Sequence, residues 1–325
     1  MRYFAKTLLI GTMAGLMISA VHAADMKKVA ISTIVEVPAL TETKDGILEA
    51  LAARGYIEGK TITVDYQNAN GNMPTQQQIA KKFVGNQPDV IIPITTPTSQ
   101  SMAAATKTIP IVFATVTDPV KAKLIPGYTN LQGNITGVSD AAPIGPQLDF
   151  FKRIIPGLSK LGFVYNPGLD NSLATLGWMK DEGAKRGITI VESPAPTTNE
   201  IILATKKLIG KVDAIYIPND TTVVAGLEAI IKIGQEMDMP IFTGETGGVD
   251  RGALASVGLD YINVGRVAGN MAADILDGIP ISQIDAVIAY KVMTDFKVVV
   301  NLIAAEKMNV TIPADVLAEA TKVIK

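Results

Sequence analysis

One pattern of strands and helices occurs twice in this chain, and it restricts the fold more than any other feature of the sequence. "KVAISTIV" and "KLGFVYNP" both indicate a buried strand that leads into a helical segment. Further along, Asp89 corresponds to Asp213 at an offset of 124 residues, and Pro110 corresponds to Pro240 at an offset of 130. A nearly constant offset over several elements predicts two lobes of one design and not a short-period solenoid.

Short β-branched runs alternate with helical patterns inside each copy. The first helix of each copy is predicted over "ALTETKDGILEALAARGY" (39–56) and "SLATLGWMKDEGAKRG" (172–187), and we expect Gly55 and Gly187 to end these helices. Strands joined by helices in this order form a parallel sheet with helices on both faces, so the predicted fold class is α/β. The copies join near "NITGVSDAAPIG" (134–145), which contains glycine and proline.

The segment after the second copy is too short to form a third lobe. It follows "LASVGLDYINVGR" (254–266) and contains a helix over 263–277, the strand-like "VMTDFKVVVN", a helix ending near Met308 and a helix after Pro313. We expect this segment to cross back and complete the two sheets.

The N-terminus "MRYFAKTLLIGTMAGLMISAVHAAD" has the pattern of a secretory signal peptide. Arg2 and Lys6 precede a run of apolar and small residues, and Val21-His22-Ala23 fits a cleavage site before Ala24. The run is short for a membrane span, which needs about 20 residues, although an uncleaved anchor is the alternative. A lipid anchor at this site is excluded because no cysteine follows the run. The predicted location of the mature protein is the periplasm.

Composition excludes several kinds of chemistry. The chain has no cysteine, and its only histidine, His22, lies in the predicted signal peptide. Cys or His nucleophile–base chemistry and zinc sites built from those ligands are therefore excluded. No G-x-G-x-x-G follows the first strand, so the sequence predicts neither a dinucleotide nor any other cofactor. The net charge of −2 argues against nucleic acid as a partner.

Polar residues follow several predicted strands, and ligands of open parallel sheets bind outside the carboxyl ends of strands. In "ITTPTSQ", we expect Thr96 to cap a helix whose first amides, with the hydroxyls of Thr98 and Ser99, receive an anion such as a carboxylate. A capped helix without a ligand is the open alternative. The same turn of the second copy, "PNDTT", carries Asp220. This aspartate is either an N-cap or the partner of an ammonium group. A turn that receives a carboxylate in the first copy and an aspartate that pairs with an ammonium group in the second would together suit a zwitterion.

Three further turns carry candidate contacts. "VTDP" offers Thr117 and Asp118, and "YNPGLDNS" offers Asn171 and Ser172, while an ordinary turn remains open for both. "TGETGG" lacks the lysine and serine of a phosphate loop, so we interpret it as a turn that places Glu245 near the cleft.

The whole mature chain resembles the ABC-transporter substrate-binding proteins of the tryptophan/tyrosine-type family. The resemblance is carried, in order, by "VPAL", "GYIEGKTITVDYQNANGN", "PDVIIPITTPTSQ", "PIVFATVTDPV", "GNITGVSD", "VYNPGLDNS", "VDAIYIPNDTTV", "RGALASVGLDYINVGR" and "VVVNLIAAEKMNVTIPADVL". Two positions depart from the family pattern: Val37 stands where a histidine often precedes "PAL", and "PNDTT" replaces a tip close to "PTDNT". Both changes touch the expected pocket wall and bear on the side chain of the ligand.

The resemblance implies a type I periplasmic-binding-protein fold, in which two Rossmann-like lobes with parallel sheets are joined by a three-crossover hinge. The implied limits are a signal peptide at 1–23, an N-terminal lobe at 24–140 and about 261–290, and a C-terminal lobe at 141–260 and about 291–325. The ligand contacts it implies are Thr96, Thr98, Ser99, Thr117, Asp118, Asn171, Ser172, Asp220, Glu245 and Asp260, with Tyr261 beside the last.

The function implied by the resemblance is that of a periplasmic receptor of an ABC importer. It implies binding of an amino-acid-like, aromatic solute, no catalysis, and delivery to a membrane permease and its ATPase. Three alternatives stay open from the sequence: a ligand sensor for a separate signalling receptor, an exported enzyme, and a binder of a sugar, nucleoside or small organic acid.

Overall fold

The structure is a computed structural model that describes residues 26–293 and 296–325. The predicted signal peptide at 1–23 lies outside the described residues. The first copy comprises β1 (Lys27–Thr33), α1 (Pro38–Ala53), β2 (Ile62–Asn68), α2 (Met73–Asn86), β3 (Val90–Ile94), α3 (Thr96–Ala105), β4 (Ile111–Phe113) and β5 (Ile135–Ser139). The second copy comprises α4 (Ile144–Ile154), β6 (Lys160–Tyr165), α5 (Asp170–Ala184), β7 (Thr189–Pro194), α6 (Ile201–Leu208), β8 (Ala214–Ile217), α7 (Thr221–Val224), α8 (Leu227–Glu236), β9 (Ile241–Thr243), α9 (Gly247–Asp250) and β10 (Ala255–Gly258).

The C-terminal segment completes both sheets. It comprises α10 (Tyr261–Leu276), β11 (Val287–Ile288), α11 (Ala289–Val292), β12 (Lys297–Asn301), α12 (Leu302–Lys307), α13 (Ala314–Glu319) and β13 (Lys322–Ile324). Strand β11 pairs with β5 of the first sheet, whereas β12 and β13 extend the second sheet beyond β10. The expected return of this segment to both sheets is therefore observed.

Five strands of each sheet have the same order, β5-β4-β3-β1-β2 in the first and β10-β9-β8-β6-β7 in the second, which confirms the prediction of two lobes of one design. The first sheet runs β11-β5-β4-β3-β1-β2, and the second runs β13-β12-β10-β9-β8-β6-β7. All pairs in the first sheet are parallel, but β12 pairs with β10 in the antiparallel sense. The predicted α/β class with mainly parallel sheets is therefore confirmed, and β12, which the chain enters from α11 and not through a crossover helix, is the antiparallel exception.

Residues at equivalent positions of the two copies have the same structural roles in the two lobes. Gly55 and Gly187 both have positive φ, +88° and +69°, and follow the ends of α1 and α5 by two and three residues. This left-handed conformation is the usual helix ending that glycine permits. At the same end of the sheets, where the strands begin, Asp89 accepts the backbone N–H of Lys28 at 2.7 Å, and Asp213 accepts that of Lys160 at 2.8 Å. Each carboxylate therefore ties the start of one strand to the start of its neighbour.

The chain passes between the sheets at three places, after β5, after β10 and after α11. The lobe limits near residues 140, 260 and 290 stay a prediction, and these sheet memberships support them. Strands β1 and β3 are buried almost throughout, as expected for parallel strands covered by helices on both faces. In this strand order the helices after β1 and β3 leave to opposite faces, so a crevice opens at their carboxyl ends.

Candidate functional site

A cavity lies between the carboxyl ends of the two sheets. The first lobe and the start of α10 contribute Val35, Val37, Ala39, Leu40, Thr95, Thr96, Thr115, Thr117, Asp140 and Tyr261. The second lobe contributes Asn171, Asn219, Asp220, Thr221, Val224 and Glu245. Of the ten predicted contacts, five therefore line one space: Thr96, Thr117, Asn171, Asp220 and Glu245.

The start of α3 differs from its prediction. Thr95, and not Thr96, occupies the N-cap position, and no side chain caps this helix. Thr96 is the first helical residue, so its predicted role as cap was wrong. Its hydroxyl oxygen is buried without a hydrogen-bond partner among the described residues, in a side chain that is 2% exposed. Because the first amides of a helix lack intrahelical partners, this uncapped turn is suited to receive an anion.

Backbone strain holds that turn in place. Thr95 has φ +87° and ψ 158°, a region that is almost restricted to glycine, and Thr115 of the neighbouring turn has φ +52°. The Thr95 N–H donates to the Thr115 hydroxyl at 3.1 Å, which links the two strained residues. The Thr98 hydroxyl lies 3.0 Å from that of Thr95, and the Ser99 hydroxyl donates to the Thr95 carbonyl at 2.7 Å. Thr98 and Ser99 thus support the turn from behind the cavity wall.

Asp220 caps α7, as the structural alternative predicted. One of its oxygens accepts the N–H groups of Thr222 and Val223 at 2.9 and 3.1 Å. The other accepts the N–H of Asn166 at 2.6 Å and the hydroxyl of Ser172 at 2.7 Å. The predicted contact Ser172 therefore reaches the ligand site only through Asp220. Burial raises the pKa of Asp220, while these four hydrogen bonds act in the opposite direction by favouring the charged form.

A polar network across the cavity joins the two lobes. Asp140, directly after β5, accepts the Asn219 side-chain amide at 3.1 Å, the Tyr261 hydroxyl at 3.3 Å and the Thr117 hydroxyl at 3.2 Å. Asn219 follows β8 of the second sheet, so its bond to Asp140 crosses between the lobes. Sequence reasoning missed Asp140 and Asn219. The position of Asp140 after a β-branched strand could have indicated a ligand contact, but its segment was interpreted only as the join between the two copies.

Asn171 stands in the first turn of α5 and faces the same space. Its side-chain amide donates to the backbone carbonyl of Asn219 at 2.7 Å, which fixes the orientation of the group. Its oxygen is then left buried without a partner among the described residues, and the side chain is 4% exposed. A buried acceptor of this kind usually has a donor, and a ligand in the cavity can supply one.

The cavity is acidic. Asp140, Asp220 and Glu245 line it, and none of the described residues that line it is a lysine, arginine or histidine. Burial raises the pKa of Glu245 to about 7, although its carboxylate accepts the Gly247 N–H at 2.6 Å. Burial also raises the pKa of Asp140. Buried carboxylates with shifted pKa values and no opposing side-chain charge mark a functional site that is suited to a cationic group.

Two predicted contacts lie elsewhere. Asp118 accepts the Lys121 N–H at 2.9 Å in the turn after β4, which matches the alternative of an ordinary turn. Asp260 caps α10 by accepting the Asn263 N–H at 3.3 Å, and it pairs with Lys297 at 3.1 Å. Neither residue lines the cavity, whereas Tyr261 beside Asp260 does.

Within the described part of the chain, no cluster of three or more Asp, Glu, His or Cys side chains is arranged to hold a metal ion. In those same residues, no helix has the length and apolar character needed to cross a membrane.

Two α/β lobes of equal topology that enclose a polar cavity define a two-lobe binding protein. The family model described as "ABC transporter substrate binding protein" matches residues 28–324. The chain therefore belongs to the ABC-transporter substrate-binding protein family.

Three similar proteins extend this assignment. A tyrosine-binding protein from Clostridioides difficile is 38% identical over 264 residues, which cover 80% of this chain and 76% of the relative. A Streptococcus pneumonia domain solved in complex with L-Trp has a TM-score of 0.87 and 32% identity, over 92% of this chain and 100% of that one. The ligand-free, open structure of an adhesive substrate-binding protein from Clostridium difficile has a TM-score of 0.70 and 33% identity, over 92% of this chain and 99% of that one.

The two structural comparisons also bear on the arrangement of the lobes. Sequence identity and coverage are nearly equal, yet the TM-score is 0.87 against the tryptophan complex and 0.70 against the open structure. The structure therefore superposes more closely on the tryptophan complex than on the open structure. The hydrogen bond from Asn219 to Asp140, and that from Gln100 of α3 to Asp170 of α5 at 2.8 Å, join the two lobes.

Proposed function

We propose that this protein binds an aromatic amino acid between its lobes and delivers it to the membrane permease and ATPase of an ABC importer. In this proposal the chain is exported through its signal peptide, acts in the periplasm, and does no chemistry on the ligand. Ligand binding favours the closed arrangement of the lobes, which the permease then recognises. The family assignment, the tyrosine-binding relative and the tryptophan complex support the class of solute.

The observation that carries the proposal is the complementarity of the cavity to a zwitterion. The uncapped start of α3, with the unpartnered hydroxyl of Thr96, suits the carboxylate of an amino acid. The buried carboxylates of the cavity, with no basic lining residue in the described chain, suit its ammonium group. A neutral sugar has no charged groups to complement these two regions of the cavity.

Apolar residues supply the wall for the side chain of the ligand. Val35, Val37 and Leu40 line the cavity from the first lobe, and Val224 lines it from the second. A large apolar side chain would displace water from these four residues, and this gain supports an aromatic amino acid over a small one.

The test is a thermal-shift and calorimetric screen of residues 24–325 after unfolding and refolding to remove any carried ligand. The panel contains tryptophan, tyrosine, phenylalanine, alanine, sugars, nucleosides and small organic acids. A ligand at 100 times its dissociation constant stabilises the folded state by about 2.7 kcal/mol, which a melting curve resolves. We expect a shift with at least one aromatic amino acid, and that the ligand is recovered chemically unchanged.

Two outcomes contradict the proposal. A shift only with sugars, nucleosides or acids without an amino group would reject the amino-acid ligand. Conversion of the bound amino acid into a product would reject a purely binding role.

A further inference from the structure

Asp140 is a cavity carboxylate that accepts three hydrogen bonds from neutral side chains and keeps a free acceptor site. This inference rests on the proposed function, because it concerns the ammonium group of an amino-acid ligand. We propose that Asp140 receives that ammonium group, that the unpartnered oxygen of Asn171 receives it from the opposite lobe, and that Asp220 does not bind the ligand directly.

The hydrogen bonds of Asp220 leave no room for another donor. A carboxylate has about four acceptor sites on its two oxygens. Asp220 accepts four hydrogen bonds, from Asn166, Ser172, Thr222 and Val223, at distances between 2.6 and 3.1 Å. An ammonium group would have to displace one of them and break the cap of α7. The role of Asp220 is to hold the turns after β6 and β8 together.

Asp140 has weaker partners and a free acceptor site. Its three side-chain partners, Asn219, Tyr261 and Thr117, are neutral and lie between 3.1 and 3.3 Å away. One oxygen accepts from Asn219 and Tyr261, so the other accepts from Thr117 alone. The side chain is 3% exposed and lines the cavity. A buried carboxylate with only neutral partners is costly, and a cation in the cavity would relieve that cost.

Asn171 places a second acceptor beside Asp140. Both residues bond to Asn219: Asn171 donates to its backbone carbonyl at 2.7 Å, and Asp140 accepts from its side-chain amide at 3.1 Å. The oxygen of Asn171 is buried and has no partner among the described residues. An ammonium group has three donors and no acceptor, so it needs a set of oxygens such as these two residues provide.

This arrangement connects recognition of the ammonium group to closure of the lobes. Asp140 ends a strand of the first sheet, while Asn171 and Asn219 follow strands of the second. Both acceptors line one cavity in the observed arrangement of the lobes, so a ligand without an amino group loses a contact on each side of the cleft.

The experiment compares ligands with and without the amino group. Isothermal titration calorimetry on residues 24–325 measures L-tryptophan against 3-indolepropionate, and L-tyrosine against 3-(4-hydroxyphenyl)propionate. The variants are Asp140→Asn, Asn171→Ala, Asp220→Asn and Glu245→Gln. Asp118→Asn is the matched control, because it makes the same chemical change outside the cavity. Circular dichroism and melting curves confirm that each variant is folded.

We expect Asp140→Asn to weaken binding of the amino acid by at least about 30-fold and to change binding of the des-amino analogue by less than about threefold. Asn171→Ala should also weaken binding of the amino acid more than binding of the des-amino analogue, with a smaller loss of affinity than Asp140→Asn. This variant tests the proposal independently if Asp140→Asn does not fold. Asp220→Asn should lower the melting temperature and affect both ligands alike. Asp118→Asn should change neither affinity.

Equal losses for both ligands in Asp140→Asn, or in Asn171→Ala where the first variant does not fold, would overturn the proposal. A selective loss in Asp220→Asn or in Glu245→Gln, with none in Asp140→Asn, would overturn it in favour of that other carboxylate. These results differ from failure of the proposed function, in which the wild-type protein itself binds no aromatic amino acid.

Discussion

Replacing Gly265 by alanine tests whether the crossing of α1 and α10 sets the stability of the first lobe. An alanine Cβ at position 265 would lie 2.1 Å from the carbonyl oxygen of Thr43, and one at Gly46 would lie 2.1 Å from that of Ile262. These atoms belong to the helix backbones, so no side-chain rotation removes the overlap. The two helices would have to separate or shift along each other.

Two opposing effects give the expected magnitude. Alanine in a helix interior is more favourable than glycine by about 1 kcal/mol. Overpacking of a tight contact costs about 3 kcal/mol at the upper end of the usual range, which fits a clash with backbone atoms. We therefore expect Gly265→Ala to lower the free energy of unfolding by about 2 kcal/mol. Binding should also weaken, because α1 begins beside the cavity-lining residue Val37 and α10 begins at cavity-lining Tyr261.

Urea denaturation followed by far-UV circular dichroism is the appropriate assay, since the single tryptophan, Trp178, lies in the other lobe and would report on that lobe. The matched control is Gly177→Ala in α5, where an added Cβ meets no atom within 4 Å. This control should raise stability by about 1 kcal/mol. If Gly265→Ala were as stable as wild type or the control, the helices would not be held by this contact and the reasoning would be refuted.

Three other perturbations have definite expected outcomes. The raised pKa of Glu245, about 7, means that the folded state binds a proton more tightly than the unfolded state. Stability should therefore fall as pH rises from 4.5 to 7, and Glu245→Gln should make that slope shallower in melting curves. In urea denaturation, Asp213→Ala should lower the free energy of unfolding by about 2 kcal/mol, because Asp213 accepts three hydrogen bonds from Ser159 and Lys160. Asp89→Ala should lower it by less, and a larger loss in Asp89→Ala would contradict this order. Gln100→Ala removes the hydrogen bond from Gln100 to the carboxylate of Asp170 across the lobes. The variant should therefore be more open than wild type, as measured by small-angle scattering, and should bind the ligand about tenfold more weakly. Scattering equal to that of wild type, with and without ligand, would count against a role of this contact.

Hydrophobic periodicity and the internal repeat were sufficient to predict the two lobes. Helix endings at Gly55 and Gly187 were also predictable, because glycine adopts positive φ without a steric penalty. Strands β11 and β13, with two and three residues, have no periodic pattern long enough to recognise. The antiparallel pairing of β12 depends on where the chain re-enters the sheet, which local sequence does not encode.

The candidate site was predictable only where its residues directly follow a recognisable strand. Asn171, Asp220 and Glu245 stood in turns whose polar residues drew attention, and all three line the cavity. The bond between Asp140 and Asn219 joins residues 79 positions apart in different lobes, so no local pattern could reveal it. The positive φ of Thr95 was equally hidden, because a β-branched residue rarely adopts that conformation.

The two copies of the repeat are alike at one end of the sheets and differ at the other. Thr96 and Asp220 are separated by the same 124 residues as Asp89 and Asp213, so they are equivalent positions. Asp220 satisfies the first amides of its helix with its own carboxylate, which closes that helix start to an anion. At α3 no side chain does so, and the amides stay available. In the proposed function, this difference between the duplicated turns would orient a zwitterion between the lobes: its carboxylate would be received by the first copy and not by the second.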